Sequence, residues 1–225
     1  MVNKKAGQLI FETIYLVLGF IGTLGSLGYF DKSFQSNFFI FYTNISNYLC
    51  LGVIIYSFVI TIKKTNNSLN NIKISSRLHF ICVVIIIMTF LVYNSSVFID
   101  WSFSDYALSL SSLCFHLILP IMFTIHYFAF CPIEKLKWYD PLFTIIFPIL
   151  YVSFIQIRAL LFPNVQIKYP YFFLNVQSLG FGKFILWILL LIVIMLLISY
   201  MIYFINLLRI EKTSKKQLVK KIKST

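Results

Sequence analysis

The chain has 225 residues, 60% of them hydrophobic and only 12% charged, and its formal charge is +12. A mean hydropathy of +0.88 excludes a water-facing globular surface. The excess of Lys and Arg gathers in short connections and one tail, so it reads as a topology and lipid signal, and no nucleic-acid binding is expected.

Crossing a hydrocarbon core of about 30 Å takes roughly 20 apolar residues. Six runs qualify, at about 8–29, 38–62, 78–98, 108–130, 142–162 and 184–208. The predicted fold is therefore all-α, a polytopic membrane protein with residues 1–208 forming a single six-helix transmembrane domain and 209–225 a basic cytoplasmic tail. With the N-terminus inside, Lys4, Lys5, Lys63, Lys64, Lys73, Arg77, Lys135, Lys137 and the basic residues of the tail all fall on the inner side. Only Lys32, Lys168 and Lys183 fall outside, and Arg158 lies in the fifth span. This asymmetry places both termini in the cytoplasm, with the tail against anionic headgroups.

The first span follows Lys4 and Lys5, as a signal peptide would, but it is too long for an h-region and lacks an A-x-A site, so a retained helix is expected. Its Gly19, Gly22, Gly25 and Ser26 form a small-residue face suited to close helix packing. Glu12, about two turns from Lys5, is assigned a structural or topological role.

The second span opens with FYTNISN, where Thr43, Ser46, Asn47 and Cys50 follow the i, i+3, i+4, i+7 rule and share one stripe. Lipid does not tolerate such a stripe, because each polar group buried without a partner costs free energy. It is expected to face a polar cavity about 8 Å below the outer surface, at 1.5 Å per residue. The third span begins near His79, assigned to the core, and ends in Asn94, Ser95 and Ser96, with Asp100 and Asp105 just beyond.

In the fourth span Ser109, Ser112 and His116 recur at i, i+3 and i+7, and Pro120 follows. His116 lies at a depth similar to Thr43, and an intramembrane ionisable residue is by default a functional candidate. An imidazole within reach of a hydroxyl is the minimum needed to make that hydroxyl a nucleophile. Gln156 and Arg158 close the fifth span, and KYPYFFLNVQSLGFG precedes the sixth. Cys50, Cys82, Cys114 and Cys131 lack C-x-x-C spacing and are expected as free thiols. The three histidines are scattered without an H-E-x-x-H arrangement, so neither a metal nor a cofactor is expected.

FYTNISN, HLILPIMFTIHYFAF and YPYFFLNVQSLGFG, in that order on a six-helix plan, resemble the prokaryotic six-transmembrane Pr-six-Pr family over about residues 10–205. That family is distantly similar to the androgen-induced-protein family of eukaryotes, hydrolases of fatty acid esters of hydroxy fatty acids that depend on an intramembrane Thr and His. The resemblance implies a bacterial plasma membrane protein with Thr43 as nucleophile and His116 as base. Where the prokaryotic pattern usually has an acid, ten positions after the His, this chain has His126.

The mechanism expected on this reading is acyl transfer to Thr43 followed by water attack, on a lipid ester entering from the outer leaflet. Ser46 shares the stripe and is an alternative nucleophile. Asn47, Asn94 and Arg158 are oxyanion candidates, Ser112 lines the cavity, and Asp100 orients His116. Tyr169 and Tyr171 form an aromatic lip. The competing reading is a non-catalytic protein that binds lipid or a partner. A small transporter is disfavoured, because no inverted repeat or discontinuous helix is visible. The oligomeric state is left open.

Overall fold

The computed structural model describes residues 2–63, 75–100, 110–132 and 134–223, with side chains described except at 2–3, 96–100 and 216–223. Among the described residues six helices are long and apolar enough to cross a membrane, and there is no strand. They are α1 (Val2–Ser26), α2 (Tyr42–Lys63), α3 (Ser76–Asp100), α4 (Leu110–Ala129), α5 (Asp140–Leu161) and α6 (Phe181–Lys223). An integral membrane protein needs this composition outside as well as inside, since every backbone group must bond within its own helix and every outward side chain must suit lipid. Leu160 at 78% exposure, with Leu186 and Leu208 close behind, shows that the outer surface is as apolar as the core.

The chain alternates between two ends of the bundle. We call the end where α1 begins proximal and the opposite end distal. The basic segment after residue 208 begins as a continuation of α6, which runs as one helix of 43 residues through Lys223. At 1.5 Å per residue it is about 65 Å long, twice the hydrocarbon thickness. Nothing in the segment breaks it: it contains neither Gly nor Pro, and Lys, Glu and Gln are good helix formers.

The small-residue face of α1 does what its spacing suggests. A β-carbon at Gly19 would strike Leu51 of α2, one at Gly22 the ring of Phe115 on α4, and one at Gly25 the side chain of Ser111. Ser26 hydrogen-bonds Tyr48 across the α1–α2 seam at 2.7 Å. Gly28, just past the helix, has φ +80°, which only glycine adopts without strain, and its α-carbon faces the Ser33 carbonyl in the turn that reverses the chain.

The main core lies among α1, α2, α3, α4 and α6, with Tyr15, Phe80, Ile86, Phe115 and Phe123 fully enclosed. A second cluster at the distal end joins Ile40, Tyr151, Ile155 and Leu174. It is covered by the connection between α5 and α6. Replacing Gly22 by Val is expected to destabilise the bundle by about 1–3 kcal/mol, the usual cost of overpacking. Thermal unfolding in detergent measures this, and Gly52→Val, at a site with open space beside it, serves as the control.

Candidate functional site

A cavity of about 260 Å³ opens at the distal end. Its walls are Tyr42 and Thr43 of α2, Thr89, Val92 and Tyr93 of α3, Val152 of α5, Met195 of α6, and the 171–174 segment. Aromatic and aliphatic surface dominates. The hydroxyl-bearing residues on its walls are Tyr42, Thr43, Thr89, Tyr93, Tyr151 and Tyr171, and Tyr171 faces Thr43. Burial pushes the Tyr171 phenol above its ordinary range, and the neighbouring Thr43 partly offsets this, so the phenol stays neutral.

Three side chains of α5 hold the roof in place. Tyr151 Oη donates to the Ile40 carbonyl at 2.9 Å, Gln156 Nε2 to Leu174 at 2.7 Å, and Arg158 Nη1 to Ile167 at 2.8 Å. Arg158 also reaches Asn37 Oδ1 at 3.3 Å. Its guanidinium thus ties two loops together and does not line the cavity. Tyr171 lines the cavity, whereas Tyr169 packs in the distal cluster with the Lys168 ammonium over its ring.

The other predicted residues separate into two layers. Thr43 lines the cavity, but Ser46 is fully buried and bonds the Thr43 carbonyl at 2.9 Å and Thr89 Oγ1 at 2.7 Å. His116 stands behind Tyr93, the rings stacked with centroids 3.5 Å apart. Its Nδ1 lies 3.0 Å from the Ser112 carbonyl. Among the described contacts it makes no hydrogen bond to Thr43. Ser109 and Asp105, and the side chains of Ser96 and Asp100, lie outside the described residues.

Asn47 and Asn94 have a clear local role. The stretch Cys114–Ile118 of α4 is a π segment, with the Leu119 N–H bonded to the Cys114 carbonyl. Pro120 has no N–H, so a carbonyl four or five residues back loses its donor. Those carbonyls belong to His116 and Phe115. Asn94 of α3 donates to His116 at 3.1 Å, and Asn47 of α2 to Phe115 at 2.9 Å. The second proton of each amide goes to its own helix, at Phe90 and Thr43. Both protons of each amide are engaged and neither residue lines the cavity, which accounts for Asn47 of the α2 stripe and Asn94 of α3 without chemistry.

The richest buried polar cluster is elsewhere, at the proximal end. Glu12 is 0% exposed, His126 1% and His79 2%. Glu12 Oε1 accepts from Ser57 Oγ at 2.6 Å and Gln8 Nε2 at 2.9 Å, and lies 2.9 Å from His126 Nε2. His79 stacks on His126 with centroids 5.9 Å apart, and Cys131 Sγ lies 3.8 Å from His126 Nδ1. Burial pushes the Cys131 thiol up to about 12, with Glu12 adding to the shift and Arg209 opposing it. Glu12 Oε2 and both ring nitrogens of His79 have no hydrogen-bond partner among the described residues. Each such buried orphan costs about 1–3 kcal/mol.

Sequence spacing did not bring this cluster forward. Its members come from positions 12, 79, 126 and 131, on α1, α3, α4 and the following turn, and no local motif joins them. The only signal available was a carboxylate and two imidazoles inside apolar runs. Comparison of the chain with protein-family models, curated proteins and solved structures finds no match in any of the three.

Two outcomes test this geometry. Asn94→Leu is expected to cost about 1–3 kcal/mol by orphaning the His116 carbonyl. The cost should shrink in a Pro120→Ala background, where a restored N–H competes for that carbonyl; a double-mutant cycle on unfolding midpoints measures the coupling. Glu12→Ala should lower the unfolding midpoint at a cost of about 1–3 kcal/mol, because Ser57, Gln8 and His126 Nε2 lose their shared buried partner.

Proposed function

We propose that this protein binds a lipid amphiphile at the distal end of the bundle, with an acyl chain in the cavity and an ester or carboxyl group against Thr43 and Tyr171. One observation carries the reading: the cavity is apolar over most of its walls, and Thr43 and Tyr171 face each other on it. Pockets of this kind bind through apolar area and orient their ligand through a few polar groups. The charge asymmetry and the resemblance to the Pr-six-Pr family support a bacterial plasma membrane with both termini in the cytoplasm. On that orientation the cavity takes its ligand from the outer leaflet, and the basic extension of α6 lies near anionic headgroups.

Cleavage of a lipid ester or acyl transfer, with Thr43 as nucleophile and His116 as base, is a second reading. It is favoured by the accessible position of Thr43 on the cavity wall, where Ser46 is sealed off. It requires Tyr93 to move aside so that the imidazole reaches the hydroxyl, since a general base acts within about 3.2 Å or through one water.

A diazirine-bearing fatty acid incorporated into membranes is expected to label the full chain at the cavity walls. Val152→Trp, which fills the cavity, should lower that labelling about tenfold, equivalent to 1.4 kcal/mol of binding. Undiminished labelling removes the proposed site. The two readings are separated with a fluorophosphonate probe. Reaction abolished by both Thr43→Ala and His116→Ala establishes ester chemistry, and an unreactive wild-type chain leaves binding alone.

A further inference from the structure

The proximal cluster has the donor set and the support of a metal centre. His79, His126 and Cys131 each offer one ligand atom, and these lie within 4.8 Å of one another. We propose that these three residues bind a thiophilic divalent cation of the zinc class, with Glu12 orienting His126 from behind.

Tautomer and tether come first. A metal-bound histidine usually gives its other ring N–H to a carboxylate, which fixes the ring and raises its basicity. Glu12 stands in that place, 2.9 Å from His126 Nε2, and is itself held by Gln8 and Ser57. With the proton on Nε2, the lone pair of Nδ1 is directed toward Cys131. Zinc bonds of about 2.3 Å to sulfur and 2.0–2.1 Å to nitrogen at a tetrahedral angle put the two ligand atoms about 3.6 Å apart. The observed separation of Cys131 Sγ and His126 Nδ1 is 3.8 Å.

The second support is His79. It is 2% exposed, and among the described residues neither ring nitrogen has a hydrogen-bond partner. A buried imidazole without a partner is expensive as it stands, and turning it toward an ion breaks no existing bond. Imidazole with thiolate is a donor set that suits zinc over magnesium or calcium, which prefer oxygen.

Charge closes as well. Binding displaces the proton of the Cys131 thiol to solvent, and the dication is then balanced by the thiolate and the Glu12 carboxylate. Arg209 also faces this cleft, but its guanidinium is tied to the Phe128 carbonyl at 2.6 Å and to Asn206 Oδ1 at 3.2 Å, and Glu134 lies on the same wall. His79 and Cys131 line the cleft between Ser76 and Asn206, so the fourth coordination position faces a small opening at the proximal end. Three protein ligands and one open position distinguish reactive zinc centres from closed structural ones.

The test uses the full chain in detergent, with any affinity tag removed, loaded with zinc and separately with cobalt(II). About one zinc per chain by elemental analysis is expected, together with visible cobalt bands and a thiolate-to-cobalt charge-transfer band. Cys131→Ser should abolish the charge-transfer band, and His79→Gln should lower metal retention at least tenfold. Elution volume and helical circular dichroism show whether each variant remains folded. The proposal is overturned if the folded wild-type chain retains neither metal, or if it binds cobalt with a spectrum that Cys131→Ser leaves unchanged.

Discussion

In hydrocarbon an unpaired peptide carbonyl has no water to turn to, so every irregularity in a spanning helix must be repaired by another part of the chain. The break in α4 shows how much follows from this. Pro120 withdraws one donor, the helix widens into a π segment, and the carbonyls of Phe115 and His116 are completed by Asn47 and Asn94 from α2 and α3. Three helices are locked at one level by two side-chain amides. The aromatic wall of the distal cavity, Tyr93 included, is placed by the same lock, because Tyr93 precedes Asn94 on α3 and stacks on His116 of α4.

The repair also determines which groups remain for chemistry. Amides with both protons committed to carbonyls are fixed structural parts, and so is a guanidinium that ties two loops together. What remains at the distal end is a mostly apolar space with hydroxyls on its walls. At the proximal end Glu12 is well anchored through one oxygen, while among the described residues its second oxygen and His79 have no hydrogen-bond partner, as is true of Tyr42 Oη and Asn47 Oδ1 at the distal end. Groups that a native structure leaves unsatisfied in its interior need a physical reason, and a ligand is the ordinary one.

The two ends also differ in how their polar groups reach one another. Distal groups lie on stripes within single helices, where a spacing of three or four residues keeps them on one face. Proximal groups converge from four segments at the same depth, and depth is recorded only roughly by position within an apolar run. Thr43, Ser46 and Asn47 therefore stood out as neighbours in FYTNISN, whereas Glu12 and His126, 114 positions apart, did not.

Six helices, the alternation of the chain between two ends and the close packing of α1 through its glycines were determined by sequence alone, because transfer to lipid depends on run length and small residues permit contact. So was the presence of a buried polar face on α2. Only the tertiary structure decided what the polar groups meet: that Asn47 and Asn94 mend a helix break, that Tyr93 stands against His116, and that an acid, two imidazoles and a thiol share one proximal core. Side-chain identity determines what a group needs, but the rotation and depth at which six helices pack determine what it receives.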